Sequence, residues 1–119
     1  MNDSKKLGFC GENYVAKFLE NKGFKILEQN FRTRFGEIDI IAQKEDVVAF
    51  IEVKTRKNLY FQIASVVTHS KQKKIIATAK RYIVENNIYD KICRFDVATI
   101  IYNETKMEIE YIPNAFQES

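Results

Sequence analysis

Four residues able to do chemistry stand inside otherwise apolar sequence: Glu37 and Asp39 in GEIDIIA (36–42), and Glu52 and Lys54 in FIEVKTR (50–56). Burying a charge is costly unless it is paired or bound to a metal, so their presence in strand-forming runs needs a reason. Side chains alternate along a strand. In the first run Glu37, Asp39 and Ile41 fall on one face, with Ile38, Ile40 and Ala42 on the other. In the second, Phe50, Glu52 and Lys54 share a face opposite Ala49, Ile51 and Val53. A two-residue loop at Glu45-Asp46, flanked by Lys44 and Val47, sets Asp39 opposite Glu52, Glu37 opposite Lys54 and Ile41 opposite Phe50. A slip of one residue would mix carboxylates with the core.

Carboxylates directly opposite one another, with Cβ atoms about 4.5–5.5 Å apart, repel. Nearby cations or a divalent metal must offset that repulsion, and Mg²⁺ takes one or two carboxylates together with phosphate oxygens and water. With Lys54 two residues beyond Glu52, the set suits metal-assisted phosphodiester hydrolysis. The carboxylates hold the metal, the metal activates water and neutralises the phosphate, and the lysine orients water or stabilises the pentacovalent state. The simpler alternative is a solvated hairpin with a Glu37–Lys54 cross-strand pair. Continuity of the charges with Ile41 and Phe50 favours the margin of a covered face.

Periodicity supplies the elements that must position these groups. Residues 4–22 read as a helix through Leu7, Cys10, Tyr14, Val15, Phe18 and Leu19, capped by Asp3 or Ser4 and closed by Gly23. Residues 24–31 read as a strand, RTRFG (32–36) as a turn, and 37–43 and 47–56 as two further strands. A second helix over 69–86 carries Ile75, Ile76, Ala79, Tyr82 and Ile83 as its apolar stripe. Strands follow over 94–102 and 107–112, the last ended by Pro113. The order α-β-β-β-α-β-β predicts an α/β fold, a mixed sheet of about five strands flanked by helices. Its first three strands form an antiparallel meander, and the third and fourth are parallel through a helical crossover.

The totals bound the rest. A chain of 119 residues suits a single domain over 1–119. Hydrophobic residues at 45% and charged residues at 29% argue against disorder. A net charge of +3 permits an anionic partner without requiring one. Cys10 and Cys93 lack CxxC spacing, against a structural zinc site or a disulfide framework, so a reduced, cytoplasmic setting is expected. The first residues lack the apolar stretch of a signal peptide, and the longest apolar run, Val47 to Ile51, is too short to span a bilayer, so no membrane partner is expected.

Asp39 followed by Glu52-Val53-Lys54 on the next strand resembles the D…(D/E)XK signature of the restriction-endonuclease-like, or PD-(D/E)XK, superfamily. The α-β-β-β-α-β order is similar to that fold's core. GENYVAKFLENKGFKILEQNFRTRFGEIDIIA, FIEVKTR, the Lys71–Tyr82 helix, RFDVATI and the terminal NAF resemble the bacterial YraN family over nearly the whole chain, and archaeal Holliday-junction resolvases are similar in GEIDIIA and EVK. The resemblance implies a restriction-endonuclease-like core and an Mg²⁺- or Mn²⁺-dependent nuclease acting on DNA, with branched or repair and recombination intermediates among its substrates. It implies metal ligands at Asp39 and Glu52, a catalytic lysine at Lys54, and an acidic residue from the first helix at Glu12, and it leaves a homodimer open. Ile38 stands where the superfamily's name has proline. By its own helical position Glu12 flanks the apolar stripe, between a solvated carboxylate and a site residue. Glu37 fits as an extra ligand or a partner for Lys54. Such folds also host inactive binders, so a nucleic-acid-binding protein without turnover is the alternative.

Basic residues gather around the proposed site: Arg32 and Arg34 before the second strand, Arg56 and Lys57 after the third, and Lys71 at the start of the second helix, with Gln72 a weaker candidate. These are expected to contact phosphates. Lys73, Lys74, Lys80 and Arg81 read as solvated surface. His69 reads as a structural or surface residue and Cys10 as a small core residue. Gly8 and Gly11 open a small helix face for a close strand or a phosphate backbone. Tyr60 and Phe61 are placed under the crossover or against bases, and Asp96 is paired with Arg94 or a nearby base.

Overall fold

Glycine closes the first helix: Gly23, with φ 95°, takes the left-handed conformation that turns the chain out of α1 (Asp3–Asn21) and into the first strand. The computed structural model describes residues 3–57, 67–102 and 104–118, with side chains from residue 11 onward. The remaining elements are β1 (Lys25–Thr33), β2 (Gly36–Lys44), β3 (Val47–Arg56), α2 (His69–Glu85), β4 (Ile92–Tyr102) and β5 (Met107–Phe116). Thr68 caps α2, its hydroxyl accepting from the Lys71 amide at 3.2 Å. Tyr60 and Phe61 lie outside the described residues, as do the side chains of the first ten.

The strands lie in the order β1-β2-β3-β4-β5. The β3–β4 pair is parallel and the other three pairs are antiparallel. Lys44 pairs with Val47 around the Glu45-Asp46 loop, so Ile41 meets Phe50 and Ile40 meets Ile51. The expected mixed sheet and its parallel crossover are therefore present. Each face carries one helix. Under α1, Val15, Ala16 and Leu19 pack with Ile40, Ala49, Ile51, Ala98 and Ile100. Under α2, Ile75, Ile76, Ala79 and Tyr82 pack with Ile41, Val48, Phe50 and Val97. Each fully buried side chain of this size contributes roughly 1.5–3 kcal/mol, so the two faces hold the helices where the site needs them.

Two expectations fail, each at an identifiable place. Ile38 packs under α2 with Ile41 and Phe50 and not with Ile40 and Ala42. Ideal alternation forbids two residues three apart from sharing a face. The break in alternation falls opposite Asn30, which lies between the pairs Gln29↔Ile40 and Phe31↔Ile38 and adopts φ 55°. The second concerns β5, which runs through Pro113 to Phe116. Pro113 and Asn114 (φ 52°) lie in an irregularity between the pairs Phe95↔Phe116 and Val97↔Ile112, where the ladder asks no amide of a proline.

Asp96 holds that irregularity. Its fully buried carboxylate accepts from Arg94 Nε at 2.9 Å, from Arg94 Nη2 at 3.0 Å, from the Asn114 amide at 2.8 Å and from the Tyr111 hydroxyl. The Arg94 pairing is the one expected from the sequence. Burial and the Asp96 charge push the Tyr111 hydroxyl up, so it stays a donor. Among the described residues, no helix is long and apolar enough to cross a membrane.

Asp96→Ala strands Arg94 and Tyr111 in a part-buried setting and frees the end of β5. It is expected to lower unfolding free energy by about 3 kcal/mol, read as a lower urea midpoint with an unchanged slope. A midpoint within error of wild type would show that the carboxylate does not tether the strand.

Candidate metal and phosphate site

The β2–β3 ladder stops at Ile40↔Ile51, yet both strands continue. Beyond that point β2 stays paired to β1 as far as Gly36, while β3 stays with β4 as far as Arg56. The two strands part, and the sheet opens between them. Asp39 fills the mouth of the opening: its Oδ2 accepts from the Val53 amide at 2.7 Å, in place of the ladder bond that a continuing strand would have made. The roll at Asn30 occurs at the same level.

Two helices supply the rest. Gly11 lets α1 come close to β3, since a Cβ there would lie 3.1 Å from Thr55 Oγ1 and 3.6 Å from Ile100 Cγ1. The next residue, Glu12, is thereby brought within hydrogen-bonding reach of the Asp39 carboxyl. From the other face, Glu52 is buried, with only 5% of its side chain exposed, and receives two amines on one oxygen. Lys54 Nζ lies 3.1 Å and Lys71 Nζ 2.6 Å from Glu52 Oε1. The expected Glu37–Lys54 pair does not form, because the strands have already parted; Glu37 pairs instead with Arg32.

Charge crowding leaves its mark on the titrating groups. Burial, then the Glu52 charge, pushes Asp39 up to about 8, against the opposing bond from Val53, and Glu12 and Glu37 add to the rise. Glu12 is raised by burial and by Glu37, with the Asp39 hydrogen bond opposing. Burial and the neighbouring Lys71 amine lower Lys54, while Glu52 pulls the other way. For Lys71 burial acts downward, but its bonds to Glu52 and Lys54 outweigh it and the net shift is upward.

The structure thus brings together Glu12, Asp39, Glu52, Lys54 and Lys71. Of the expected phosphate contacts, Lys71 faces a carboxylate and Arg32 is tied to Glu37. Arg56 Nη1 donates to the Thr55 carbonyl, Arg34 lies over Phe35 at the β1–β2 turn, and Lys57 is exposed at the end of β3. The Lys71–Glu52 contact was not legible in the sequence, although Thr68 three residues earlier is a cap signal that fixes the start of the helix. A cleft of about 550 Å³ lies elsewhere, between α2 and the ends of β4 and β5. Its described walls carry Glu118 as their single carboxylate and Cys93, whose thiol burial pushes up, so the acid cluster lies outside it.

Among the described residues, no three His, Cys, Asp or Glu side chains already stand around one point that could hold a metal ion. The chemistry of the donors nevertheless fits a hard divalent cation. They are carboxylates without thiol or imidazole, and burial together with the neighbouring Glu52 charge lifts Asp39. Glu52 Oε1 is engaged by lysines, so a cation would compete with Lys71 for it.

The model of the "Uncharacterised protein family UPF0102" matches residues 11–100 of this chain, a span that contains every member of the cluster. A UPF0102 protein of Alkaliphilus metalliredigens is 43% identical over 114 residues, covering 95% of this chain and 99% of the relative. One of Dictyoglomus turgidum is 42% identical, covering 96% of this chain and 99% of the relative. One of Clostridioides difficile is 44% identical, covering 98% of this chain and all of the relative.

Asp39→Asn tests the crowding in protein stripped of metal. An acid whose folded pKa lies near 8, above its ordinary 3.8, costs stability as pH rises from about 4 through 8. The amide side-chain oxygen still accepts from Val53. The variant is expected to melt several degrees above wild type at pH 9 in EDTA, with the gap closing toward pH 4. A variant that melts lower at pH 9 would show that the ionised carboxylate is not strained there.

Proposed function

This chain belongs to the uncharacterised protein family UPF0102, and from that membership and the site above we propose that it is a divalent-metal-dependent nuclease hydrolysing phosphodiester bonds in DNA. One observation carries the reading: Asp39 stands in the opening between β2 and β3, tied to the Val53 amide at 2.7 Å, and next along β3 the buried Glu52 carries Lys54 at 3.1 Å. Burial, with the Glu52 charge beside it, pushes Asp39 up to about 8, the kind of perturbed carboxyl that clusters at functional sites.

Asp39 and Glu52, with Glu12 beside them, would hold Mg²⁺ or Mn²⁺, which supplies Lewis-acid activation of water and neutralisation of phosphate charge when bound. The chain's own residues do the remaining work. Val53 fixes the Asp39 carboxylate through its amide. Lys54, lowered by burial and by Lys71, keeps an amine beside Glu52 that can orient the attacking water or meet charge developing on the phosphate. Lys71, raised and more exposed, remains a cation available to a phosphate once Glu52 is otherwise engaged. Arg34, Arg56 and Lys57 add sequence-independent attraction for the backbone, in keeping with the net charge of +3.

A second reading, a DNA-binding protein without turnover, is favoured by one observation: both lysines pair with Glu52 Oε1, at 3.1 and 2.6 Å. The two separate experimentally. With plasmid and branched DNA and millimolar Mn²⁺, the wild type is expected to cleave, and Asp39→Ala and Lys54→Ala to lose at least about 100-fold in rate. Mn²⁺ is expected to raise the melting temperature of wild type and not of Asp39→Ala. Equal cleavage by the variants would identify a contaminant, and binding without cleavage would favour the second reading.

A further inference from the structure

The turn between β1 and β2 is built without its largest residue. Its packing onto α2 uses Gly36 and Thr33. An added Cβ at Gly36 would lie 3.4 Å from both Lys74 Cβ and Thr78 Oγ1, so the turn lies against α2 at van der Waals distance, and Thr33 Oγ1 lies 3.5 Å from Thr78 Oγ1. The Phe35 amide donates to Thr33 Oγ1 at 3.1 Å, which fixes the backbone at the tip. Phe35 itself is left 40% exposed on this anchored turn. The Arg34 guanidinium carbon lies 5.1 Å from the centre of its ring. Lys74, also exposed, borders the same turn.

An exposed aromatic with a guanidinium over it and a lysine beside it offers what a nucleobase next to a phosphate needs: a flat π-face and flanking cations. Inside a duplex both faces of each base are covered by neighbours, so only an unpaired or terminal base has a face to give. Phe35, in the turn just before β2, precedes Asp39 by four residues, which at about 3.3 Å per residue sets it at most roughly 13 Å from Asp39. That is a few stacked nucleotides at about 3.4 Å each.

We propose that Phe35 is a stacking platform for an unpaired base, and that the substrate class is DNA in which single-stranded nucleotides adjoin a duplex, as in forks and flaps. The placement of the cut beside that base rests on the nuclease reading, whereas the stacking does not. Aromatic stacking adds affinity wherever a base face is free, which the unpaired arm offers along its length and a blunt duplex only at its two ends. The cations act on any DNA backbone.

The test uses the whole chain in EDTA, where no turnover contributes. Two DNAs of equal length are compared, a blunt duplex and a fork carrying 2-aminopurine in its unpaired arm beside the junction. Wild type is expected to quench the 2-aminopurine emission and to bind the fork roughly five-fold tighter than the duplex, or more. Phe35→Ala is expected to lose the quench and most of that preference with duplex affinity little changed, and Phe35→Trp to keep both. Unchanged quench and preference in Phe35→Ala, an equal loss on both DNAs, or no preference in wild type would each overturn the proposal. A fork preference that depends on Phe35 in a protein that no metal makes cleave would remove the nuclease reading and leave the platform. Metal-dependent cleavage with no role for Phe35 would do the reverse.

Discussion

The acceptance of the Val53 amide by the Asp39 carboxylate, at 2.7 Å, is the contact on which the site depends. Two antiparallel strands that part must leave amides and carbonyls without ladder partners, and a buried amide without a partner costs about 1–3 kcal/mol. A side chain that takes over the lost bond makes the parting tolerable. It also plants a carboxylate in the gap. β2 then follows β1, β3 follows β4, and Glu52 and Lys54 are carried on the α2 face of a strand whose former neighbour has moved aside. Had the ladder continued, Asp39 would have stood opposite Glu52 on a closed sheet, with no way in from the α1 side for Glu12.

The same contact is too weak to keep Asp39 ionised. A hydrogen bond to a charged group contributes about 1.5–3 kcal/mol net, while two unit charges 4 Å apart interact by about 4 kcal/mol at an effective dielectric constant of 20. Burial and the Glu52 charge therefore prevail over Val53, and the acid rises to about 8. The two lysines on Glu52 divide accordingly. Lys54, the more buried at 16% side-chain exposure, is lowered, while Lys71 at 44% is raised. One amine is thus biased toward giving up its proton and the other toward holding it. A hydrolytic site uses both kinds of group.

Alternation and loop length read well from sequence where the pleat is regular. The register Ile41↔Phe50, the Glu45-Asp46 loop and the stripe Ile75, Ile76, Ala79 and Tyr82 all follow from local pattern. What escaped were places where a neighbouring strand sets the geometry. Nothing within GEIDIIA announces that Ile38 turns to the α2 face; the break lies opposite Asn30, whose φ is 55°, across the β1–β2 ladder. Pro113 reads as a strand end, yet Asp96, seventeen residues earlier, carries β5 past it through the Asn114 amide. Lys71 reads as a phosphate contact because its carboxylate partner lies nineteen residues away, across a crossover whose path no periodicity fixes. Gly11 was legible as a close approach, and Thr55 is what it approaches.

Helix α2 joins these features into one device. Lys71, Ile75, Thr78 and Tyr82 recur at spacings of three and four and so share a face. Along that face the helix meets Glu52, then the apolar core, then Thr33 and Gly36 of the β1–β2 turn, while Tyr82 packs edge-on against Phe31 with ring centres 5.1 Å apart. Its seating on Phe50 and Ile41 therefore sets two things at once: how far Lys71 reaches toward the carboxylates, and where the turn carrying Phe35 is held relative to them. A loss of volume under the middle of α2 is felt at both ends. The acid cluster and the exposed aromatic are thus related through the helix.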